Sequence, residues 1–513
     1  MKLLLLAVCL AVAVGYVVAA ARVTGNNDND AAYYLGVARY IARTKTFAEN
    51  IVWTFIGRPA SVIHHPFTHW QGLTSIVLVP VLMSTQNPHA PFVVMALISG
   101  VTLLLLWYLV TTAAPLRYPL AQGAVLFVFA TSPAMLTYRL DTDTVPPMQL
   151  WLVASLVALA VQRWKTAASV AFLMVWTRGD GAVLCVIVWL VCIVKAARNA
   201  PLLRARTLAP LLAYLAALCA VYAVACLLVY GAIPPRGMRL APRLVSYYDL
   251  YAFGHAPELI RWRDRIHWPS IQRAFWTAIE RLRTTPFSLH QELWLGFLVM
   301  VGFRKVRWRL TSTVWLLLFV GSSAIVLLAG VLFSNWRTLY PMLPLASLAL
   351  GAAIDDVLGH LDRLTSEHLG LQREALAALA ATAIVAGLTL GDSPRLALRN
   401  NHLADLERDL RELSPTLAGG TVASVRPWSV IATTESPAVM IPNDGETAFA
   451  DALDLYGVRW LIVSNESCTG TTEVLCAAIR DGTRRELGPF RLEEHSGAGH
   501  LRLFRVEGTE AAP

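Results

Sequence analysis

Two acidic residues lie just beyond the first apolar segment of the chain. Asp28 and Asp30 follow the apolar run Leu3 to Ala21, close to where that run would leave a membrane. Ionisable groups near a bilayer are costly unless they face water or have partners, so they indicate a functional site. A carboxylate that faces water there can accept the proton of an incoming hydroxyl group. We therefore expect Asp30 to be a general base, with Asp28 as the alternative, although Asp30 could instead cap the helix that follows it.

Arginines later in the chain could supply the complementary chemistry, which is the binding of phosphate. An arginine stabilises an anionic phosphate through charge-assisted hydrogen bonds that are often bidentate. Arg337, which lies among aromatic residues, is the preferred candidate, and Arg236, Arg239 and Arg243 are alternatives in an earlier loop. These three arginines could equally form a solvated basic surface. A base and a bound phosphate together predict the transfer of a group from a phosphate to a hydroxyl.

Three loops contain further side chains that could bind a substrate. The candidates are Tyr33, Tyr34, His65, Asp141, Asp143, Arg178 and Asp180. Each also has a structural alternative: the tyrosines could be anchors at the membrane interface, the aspartates of the second loop could shape a turn, and Arg178 could pair with Asp180. The histidines at positions 64, 65 and 69 match no zinc-binding spacing, and the sequence leaves open whether Mg²⁺ or Mn²⁺ is bound.

The composition places these residues in a membrane protein. Of the 513 residues, 56% are hydrophobic and 15% are charged, which is far from a soluble globular average. The net charge of +9 comes from lysines and arginines clustered between apolar runs, for example at Lys195 to Arg206. That arrangement is typical of cytoplasmic loops and argues against nucleic acid as a partner. We expect a mainly α-helical, polytopic membrane protein with a small soluble α/β domain at its C-terminus.

Apolar runs predict about 11 transmembrane helices, several of them shorter than the roughly 20 residues that a span usually needs. The runs are Leu3 to Ala21, Pro91 to Thr112, Leu120 to Leu136, Met148 to Val161, Ala167 to Trp176, Ala182 to Val194, Leu208 to Tyr230, Leu293 to Phe303, Ser312 to Phe333, Pro341 to Ile354 and Ala375 to Leu390. The first run could be a cleaved signal peptide, but its length favours an uncleaved span with a cytoplasmic N-terminus. Two regions are ambiguous: Leu73 to Met83 could cross or only re-enter, and Ala167 to Val194 could be one helix or two.

Loop charge favours the topology in which Leu73 to Met83 does not cross the membrane, because the basic clusters then all lie inside. The charged candidates Asp28, Asp30, Asp141, Asp143, Arg178 and Asp180 then lie together on the outside. Two outer loops are large, residues 22–71 and residues 231–291. We therefore expect a protein of the inner or plasma membrane, with residues 1–390 as its membrane domain and its site facing away from the cytoplasm.

The C-terminal residues 391–513 have the pattern of a water-soluble, extracytoplasmic α/β domain. Short strands are predicted at Thr421 to Val425, Val430 to Thr433, Trp460 to Ser464 and Leu501 to Val506, with a helix at Thr447 to Tyr456. We expect Cys468 and Cys476 to form a disulfide, because such a bond persists in an oxidising compartment.

Five sequence motifs, in this order, resemble those of the GT-C membrane glycosyltransferases. They are Asp30-x-x-Tyr33-Tyr34-Leu35-x-x-Ala38-Arg39, His65-Pro66 with Trp70, Thr177-Arg178-Gly179-Asp180-Gly181, Tyr230-Gly231-x-x-Pro234, and Trp336-Arg337-x-x-Tyr340-Pro341-x-x-Pro344. The chain departs from the family pattern at Gly179, where proline is usual, and at Asn29, where many members have a second acidic residue. These departures leave open which aspartate is the base and whether a metal is bound.

The resemblance, which extends to the protein O-mannosyltransferase and aminoarabinose transferase type, implies a specific reaction. A hexosyl- or pentosyltransferase of this kind takes a sugar from a polyprenyl-phosphate donor and passes it to a hydroxyl of a lipid, glycan or protein acceptor on the outer face of the membrane. Two other functions remain open. A transporter or flippase of a lipid-linked saccharide would place its acidic residues at the membrane midplane, and a ligase-type enzyme would use a diphosphate lipid donor.

Overall fold

The computed structural model of the protein describes residues 1–261, 268–269, 272, 276, 340–364, 401–464, 468 and 470–508, except for 24, 27, 133–137, 200–203 and 241–242. The described helices are α1 (Lys2–Ala20), α2 (Asn29–Thr44), α3 (Leu73–Ser84), α4 (Ala90–Tyr108), α5 (Pro119–Thr131), α6 (Val145–Ala160), α7 (Trp164–Thr177), α8 (Gly181–Asn199), α9 (Arg204–Tyr230), α10 (Arg236–Leu240), α11 (Leu343–Leu364), α12 (Asn401–Leu417), α13 (Pro427–Thr433), α14 (Glu446–Leu455) and α15 (Glu473–Arg480). The described strands are β1 (Ile51–Val52), β2 (Thr421–Ser424), β3 (Ala438–Met440), β4 (Val458–Val463), β5 (Glu486–Leu487), β6 (Phe490–Ala498) and β7 (Leu501–Gly508).

The chain divides into two compact units, each built from segments that are distant in sequence. The first, here called the membrane unit, comprises Met1–Val23, Phe92–Val224 and Ile266–Leu398. The second, here called the sheet unit, comprises Thr24–Pro91, Ala225–Arg265 and Arg399–Pro513. The sheet unit therefore combines the acidic segment, part of the second large loop and the C-terminal region.

Three of the described helices are long and apolar enough to cross a membrane. They are α1, α4 together with the π-helical turn Leu109–Ala113 that extends it, and the Leu208–Tyr230 part of α9. Shorter apolar helices are found at α3, α5, α6 and the Gly181–Ala197 part of α8. The predicted number of about 11 spans is not confirmed, and the runs Leu293 to Phe303, Ser312 to Phe333 and Ala375 to Leu390 lie outside the described residues.

The two ambiguous regions have definite structures. Ala167 to Val194 is divided between two helices, α7 and α8, joined by a turn at residues 178–180. Gly181 begins α8 where a Cβ atom would lie 2.1 Å from the carbonyl oxygen of Met174, so the turn requires glycine. The 12 residues of α3 have a length of about 18 Å, which is less than the roughly 30 Å of a hydrocarbon core.

One sheet organises the sheet unit. Its described strands have the order β1-β3-β2-β4-β7-β6-β5, parallel from β1 to β4 and antiparallel beyond. The edge strand β1 comes from the first large loop, residues 22–71, and pairs Ile51 with Ala438 of β3. A segment of that loop is therefore part of the C-terminal sheet.

The predicted elements of the C-terminal region agree with the structure at three strands and one helix. The prediction of a strand at Val430 to Thr433 is wrong, because these residues belong to α13. Their β-branched side chains favour a strand, but Pro427 at the first helical position favours a helix start, and the segment packs against α2 as a buried helix. The expected disulfide between Cys468 and Cys476 is confirmed, with Cα atoms 6.0 Å apart.

The helical hairpin of α7 and α8 provides a test of the orientation in the membrane. Trp189 of α8 donates its indole N–H to the carbonyl of Ala168, 3.0 Å away, so the two helices run back along each other. Gly179 and Thr166 are exposed at opposite ends of α7. We predict that Gly179→Cys reacts with a membrane-impermeant maleimide in intact cells and that Thr166→Cys reacts only after permeabilisation. Labelling with the reverse pattern would contradict the expected orientation.

Candidate active site

The acidic segment forms the beginning of α2. Asp28 is the N-cap residue: its Oδ1 accepts the backbone N–H of Asp30 at 3.1 Å. Asp30 lies in the first turn of the helix and is half-buried. A capping oxygen satisfies one of the amides that a helix start leaves without an intrahelical partner. The capping role considered for Asp30 therefore belongs to Asp28.

α2 is buried along most of its length and is fixed at its C-terminal end by two arginines. Arg39 donates a hydrogen bond to the carbonyl of Ala432, and Arg43 forms an ion pair with Glu435. Gly36 faces Ile431, whose side chain would lie 2.4 Å from a Cβ atom at position 36. This close approach allows α2 to pack against α13, so the acidic segment belongs structurally to the sheet unit.

A buried carboxyl group that the sequence analysis did not identify, Glu49, lies against Tyr33 of α2. The Oε2 atom of Glu49 accepts hydrogen bonds from the Tyr33 hydroxyl at 2.5 Å and from the Phe67 backbone N–H at 3.3 Å. Its Oε1 atom is 3.6 Å from Nε2 of His64. Burial raises the pKa of Glu49 to about 8, and burial lowers the pKa of His64 to about 4. The pair is therefore neutral near pH 7, with both groups uncharged.

Aromatic side chains pack around Tyr33, the hydrogen-bond partner of this carboxyl group. Trp53 stacks on Trp70 with ring centroids 4.3 Å apart and meets His69 edge-on at 4.6 Å. Tyr33 and Tyr34 are almost completely buried here, with 1% and 5% exposure, so both contribute to the core of the loop. His65, which is also predicted to bind substrate, is exposed. The substrate-binding roles expected for these side chains stay predictions.

The second large loop lies against the first within the sheet unit. A Cβ atom at Gly237 would be 2.6 Å from the carbonyl oxygen of Thr68, so the start of α10 touches the histidine-containing segment closely. Arg236 is the first residue of α10, and the side chain of Arg239 is exposed on the same helix. Two of the predicted phosphate-binding arginines therefore come from a helix packed beside the first large loop. The preferred candidate, Arg337, lies outside the described residues.

The C-terminal region holds the second loop through two adjacent polar residues. Asp444 accepts the backbone N–H groups of Phe253, at 3.1 Å, and of Gly254. Asn443 donates its side-chain amide to the carbonyl of Tyr248 at 2.8 Å. These bonds satisfy backbone groups of an irregular segment that no regular secondary structure would satisfy.

In the membrane unit, the remaining predicted residues form a compact group of helix ends. Oδ1 of Asp143 accepts the backbone N–H of Val145, the first residue of α6, at 2.9 Å and the hydroxyl of Thr144 at 3.0 Å. Arg178 forms an ion pair with Asp180 at 2.9 Å and donates a second hydrogen bond to the Thr144 hydroxyl at 2.9 Å. The loop before α6 and the turn before α8 therefore meet. Asp141, like Asp143, is only 1% exposed, and its Oδ1 accepts the N–H of Thr142.

The sequence analysis also missed a buried arginine in the membrane unit. Arg139 is completely buried, donates a hydrogen bond to the carbonyl of Ala130 at 2.5 Å and lies over the rings of Phe129 and Tyr16. It thus links α1 and α5. No signal in the sequence distinguishes Arg139 from other loop arginines, because its partners are side chains and carbonyls of other helices. Among the described residues, no three His, Cys, Asp or Glu side chains are grouped so that they could hold a metal ion.

Neither a family model nor a curated protein matches this chain in sequence. Solved structures do match it in fold over its whole length. ArnT from Cupriavidus metallidurans bound to undecaprenyl phosphate is 11% identical, with a TM-score of 0.56, and the match covers 100% of this chain and 99% of ArnT. The oligosaccharyltransferase of Archaeoglobus fulgidus in its apo form is 13% identical, with a TM-score of 0.54, covering 100% of this chain and 75% of that one. The oligosaccharyltransferase AglB of Archaeoglobus fulgidus in complex with an inhibitory peptide and a dolichol-phosphate is 13% identical, with a TM-score of 0.51, covering 98% and 75%.

At these identities the matches establish the fold alone. They confirm the GT-C-like fold that the order of the sequence motifs predicts. The predicted site residues are not tested by this likeness.

The buried Glu49 yields a prediction about stability and pH. A carboxyl group whose folded-state pKa is raised contributes stability that is fully present below its unfolded pKa of about 4.5 and is lost as pH rises towards the folded value of about 8. Glu49→Gln keeps the acceptor for Tyr33 and Phe67 but does not titrate. Between pH 5 and pH 8 the free energy of unfolding of the wild type should therefore fall relative to that of Glu49→Gln, by at most about 1.4 kcal/mol per pH unit. The melting temperature of the wild type should fall with it.

The measurement is thermal unfolding of both proteins in detergent from pH 5 to pH 9. The exposed Glu412→Gln is the matched control and should follow the wild type at every pH. Parallel curves for the wild type and Glu49→Gln would show that Glu49 is ionised in the folded protein and would contradict the neutral pair.

Proposed function

We propose that this protein is a membrane glycosyltransferase that moves a sugar from a polyprenyl-phosphate donor to an acceptor hydroxyl on the outer face of the membrane. The observation that carries the proposal is the likeness in fold, over the full chain, to ArnT bound to undecaprenyl phosphate and to AglB bound to a dolichol-phosphate. Both ligands are long isoprenoid chains with a phosphate at one end. Transfer of a sugar from such a lipid needs a base for the acceptor hydroxyl and a cation for the phosphate. Asp30 and the arginines at positions 236, 239 and 337 are the candidates for these roles.

The reaction assigns one task to Asp30. The oxygen of the acceptor hydroxyl attacks the anomeric carbon of the sugar, the hydroxyl proton passes to the Asp30 carboxylate, and the bond between the anomeric carbon and the phosphate oxygen breaks. The electron pair of that bond leaves with the polyprenyl phosphate. General base catalysis of this kind contributes about 10²-fold to 10⁴-fold in rate. Asp30 is the preferred base because it stands at the acidic position of the motif that resembles the GT-C family, whereas Asp28 is the N-cap residue of α2.

The leaving phosphate needs positive charge, which Arg337, Arg236 or Arg239 would provide. Arg236 and Arg239 lie on α10, beside the first outer loop. Arg337 precedes Tyr340, whose carbonyl accepts the side-chain amide of Gln149 at 2.8 Å and whose ring contacts Tyr138. Tyr340, three residues after Arg337 in sequence, is thus held within the membrane unit. A residue that stabilises a phosphate must be held in one position.

The disulfide supports an extracytoplasmic position for the C-terminal region. A bond between Cys468 and Cys476 persists in an oxidising compartment and is rare in the cytosol. We therefore propose that residues 391–513 lie outside the cell membrane, that the N-terminus is cytoplasmic, and that the acidic start of α2, Asp141, Asp143 and the Arg178 turn face the same outer side.

The base assignment predicts different behaviour for two isosteric variants. Asp30→Asn should lower the transfer rate by about 10²-fold or more, because an amide cannot accept the hydroxyl proton. Donor binding should be unchanged. Asp28→Asn is the matched control, because asparagine caps helices as well as aspartate does, and it should keep near-normal activity. Transfer is measured with purified protein and a defined polyprenyl-phosphate sugar; a dead Asp28→Asn beside an active Asp30→Asn would reverse the assignment.

The phosphate assignment predicts a different kinetic signature. Arg337→Ala should raise the KM for the donor and lower kcat as well, because the phosphate is anionic both before and after the reaction. Arg337→Lys keeps the positive charge but cannot form the bidentate hydrogen bonds, so it should preserve only part of the donor affinity. Donor titrations of both variants measure this, and an unchanged donor KM in Arg337→Ala would transfer the role to the arginines of α10.

A further inference from the structure

A carboxylate from the C-terminal region binds the backbone of the acidic segment directly. Both side-chain oxygens of Glu407, on α12, lie 3.3 Å from the backbone nitrogen of Asn26 and accept its N–H. Glu407 is 3% exposed. A Cβ atom at Gly25 would be 2.3 Å from Oε2 of Glu407, so the backbone approaches this carboxyl group more closely than any residue with a side chain would allow.

One backbone amide and two arginines offset the free-energy cost of burying the Glu407 carboxyl group. Burial raises the pKa of Glu407 to about 7, while the Asn26 amide, Arg411 and Arg39 oppose that rise. Arg411 follows Glu407 by one helical turn, with its Nη2 atom 3.4 Å from Oε2, and Arg39 approaches from α2. A buried acid is expensive unless hydrogen bonds and opposite charges satisfy it. Exposed residues of α12 such as Glu412 need no such arrangement, so the position of Glu407 indicates a specific role.

Glu407 fixes the chain immediately before the residues proposed for catalysis. Asn26 precedes the cap residue Asp28 by two positions and Asp30 by four. At the other end of the helix, Arg39 is bound to the carbonyl of Ala432. The segment that carries Asp30 is therefore held from both sides by residues of the C-terminal region.

We propose that Glu407 is a positioning residue for Asp30: by holding the Gly25–Asn26 backbone it sets the start of α2, and with it the place of the catalytic carboxylate. This inference rests on the proposed function. In a transfer reaction a displacement of the base by about 1 Å costs roughly 10²-fold in rate. The C-terminal region then acts on turnover through the contact of Glu407 with Asn26, as a positioning effect on the base.

The contact can be removed from either side. Glu407→Ala removes the acceptor, and Gly25→Ala forces the carboxylate away by steric overlap. In a Glu407→Ala background the overlap no longer exists, because the next atom near a Cβ at position 25 is Nη2 of Arg411 at 3.7 Å, an ordinary contact distance. The double variant should therefore be no worse than either single variant, whereas independent effects would add. Glu407→Gln keeps one acceptor and should recover part of the activity, and Glu412→Ala is the exposed control on the same helix.

Two readouts separate the contact from the chemistry. Hydrogen–deuterium exchange of the peptide containing residues 25–31, in the full-length purified protein, reports the contact without any substrate. We expect faster exchange there in Glu407→Ala and Gly25→Ala, with exchange of the β6 and β7 strands unchanged. Steady-state kinetics should then show kcat reduced by about 10²-fold at an unchanged donor KM, with partial recovery in Glu407→Gln.

The outcomes distinguish failure of this inference from failure of the proposed function. Unchanged exchange at residues 25–31 in both single variants would overturn the contact itself. Faster exchange with undiminished kcat, while Asp30→Asn is inactive, would leave the transferase proposal intact and overturn the positioning role. Loss of activity that adds fully in the double variant would also overturn it, since the two residues would then act separately. If Asp30→Asn is fully active, the proposed function fails and the positioning role fails with it, whatever the exchange data show.

Discussion

The burial of α2 within the sheet unit is the constraint on which the rest of the structure depends. The helix is buried without interruption from Ala31 to Ala38, and Gly36 lies against Ile431. Its last turns are bound by Arg39 to Ala432 of α13 and by Arg43 to Glu435, which follows α13. The following strand β1 continues the C-terminal sheet. A helix fixed on so many sides cannot shift without disturbing the core, because protein interiors are close-packed. The acidic residues at its start therefore occupy a position set by the whole unit.

Two buried carboxyl groups extend this constraint to the irregular segments before and after α2. Glu407 accepts the N–H of Asn26 and Glu49 accepts that of Phe67, and both side chains are almost completely buried. Such segments lack a helix or a sheet to satisfy their backbone, so a side-chain acceptor is needed where water is excluded. Asp444 does the same for the second loop. Each of these three acids thus holds an irregular segment through at least one backbone amide.

The sequence was sufficient to predict the features that depend on local patterns. Long apolar runs predict α1, α4 and α9, and the order of motifs predicts the GT-C-like fold. Whether Ala167 to Val194 forms one helix or two stayed open in the sequence. The features that it could not provide depend on contacts between distant segments. β1 is only two residues long and is a strand because it pairs with β3, which is distant in sequence. The sequence around Glu49 and Glu407 contains no motif, because the role of each carboxyl group depends on the backbone amide that it binds. Val430 to Thr433 forms a helix because tertiary packing and Pro427 outweigh β propensity.

The central claim is that Asp30 receives the proton of the acceptor hydroxyl. The most direct measurement is a cryo-electron microscopy structure of the wild-type protein with an acceptor and a polyprenyl-linked sugar whose bridging oxygen is replaced by carbon, so that the donor cannot react. The account predicts the acceptor hydroxyl about 3 Å from a carboxylate oxygen of Asp30, on the face of the anomeric carbon opposite the phosphonate. An acceptor hydroxyl bound against another acidic residue, with Asp30 remote from the sugar, would contradict it.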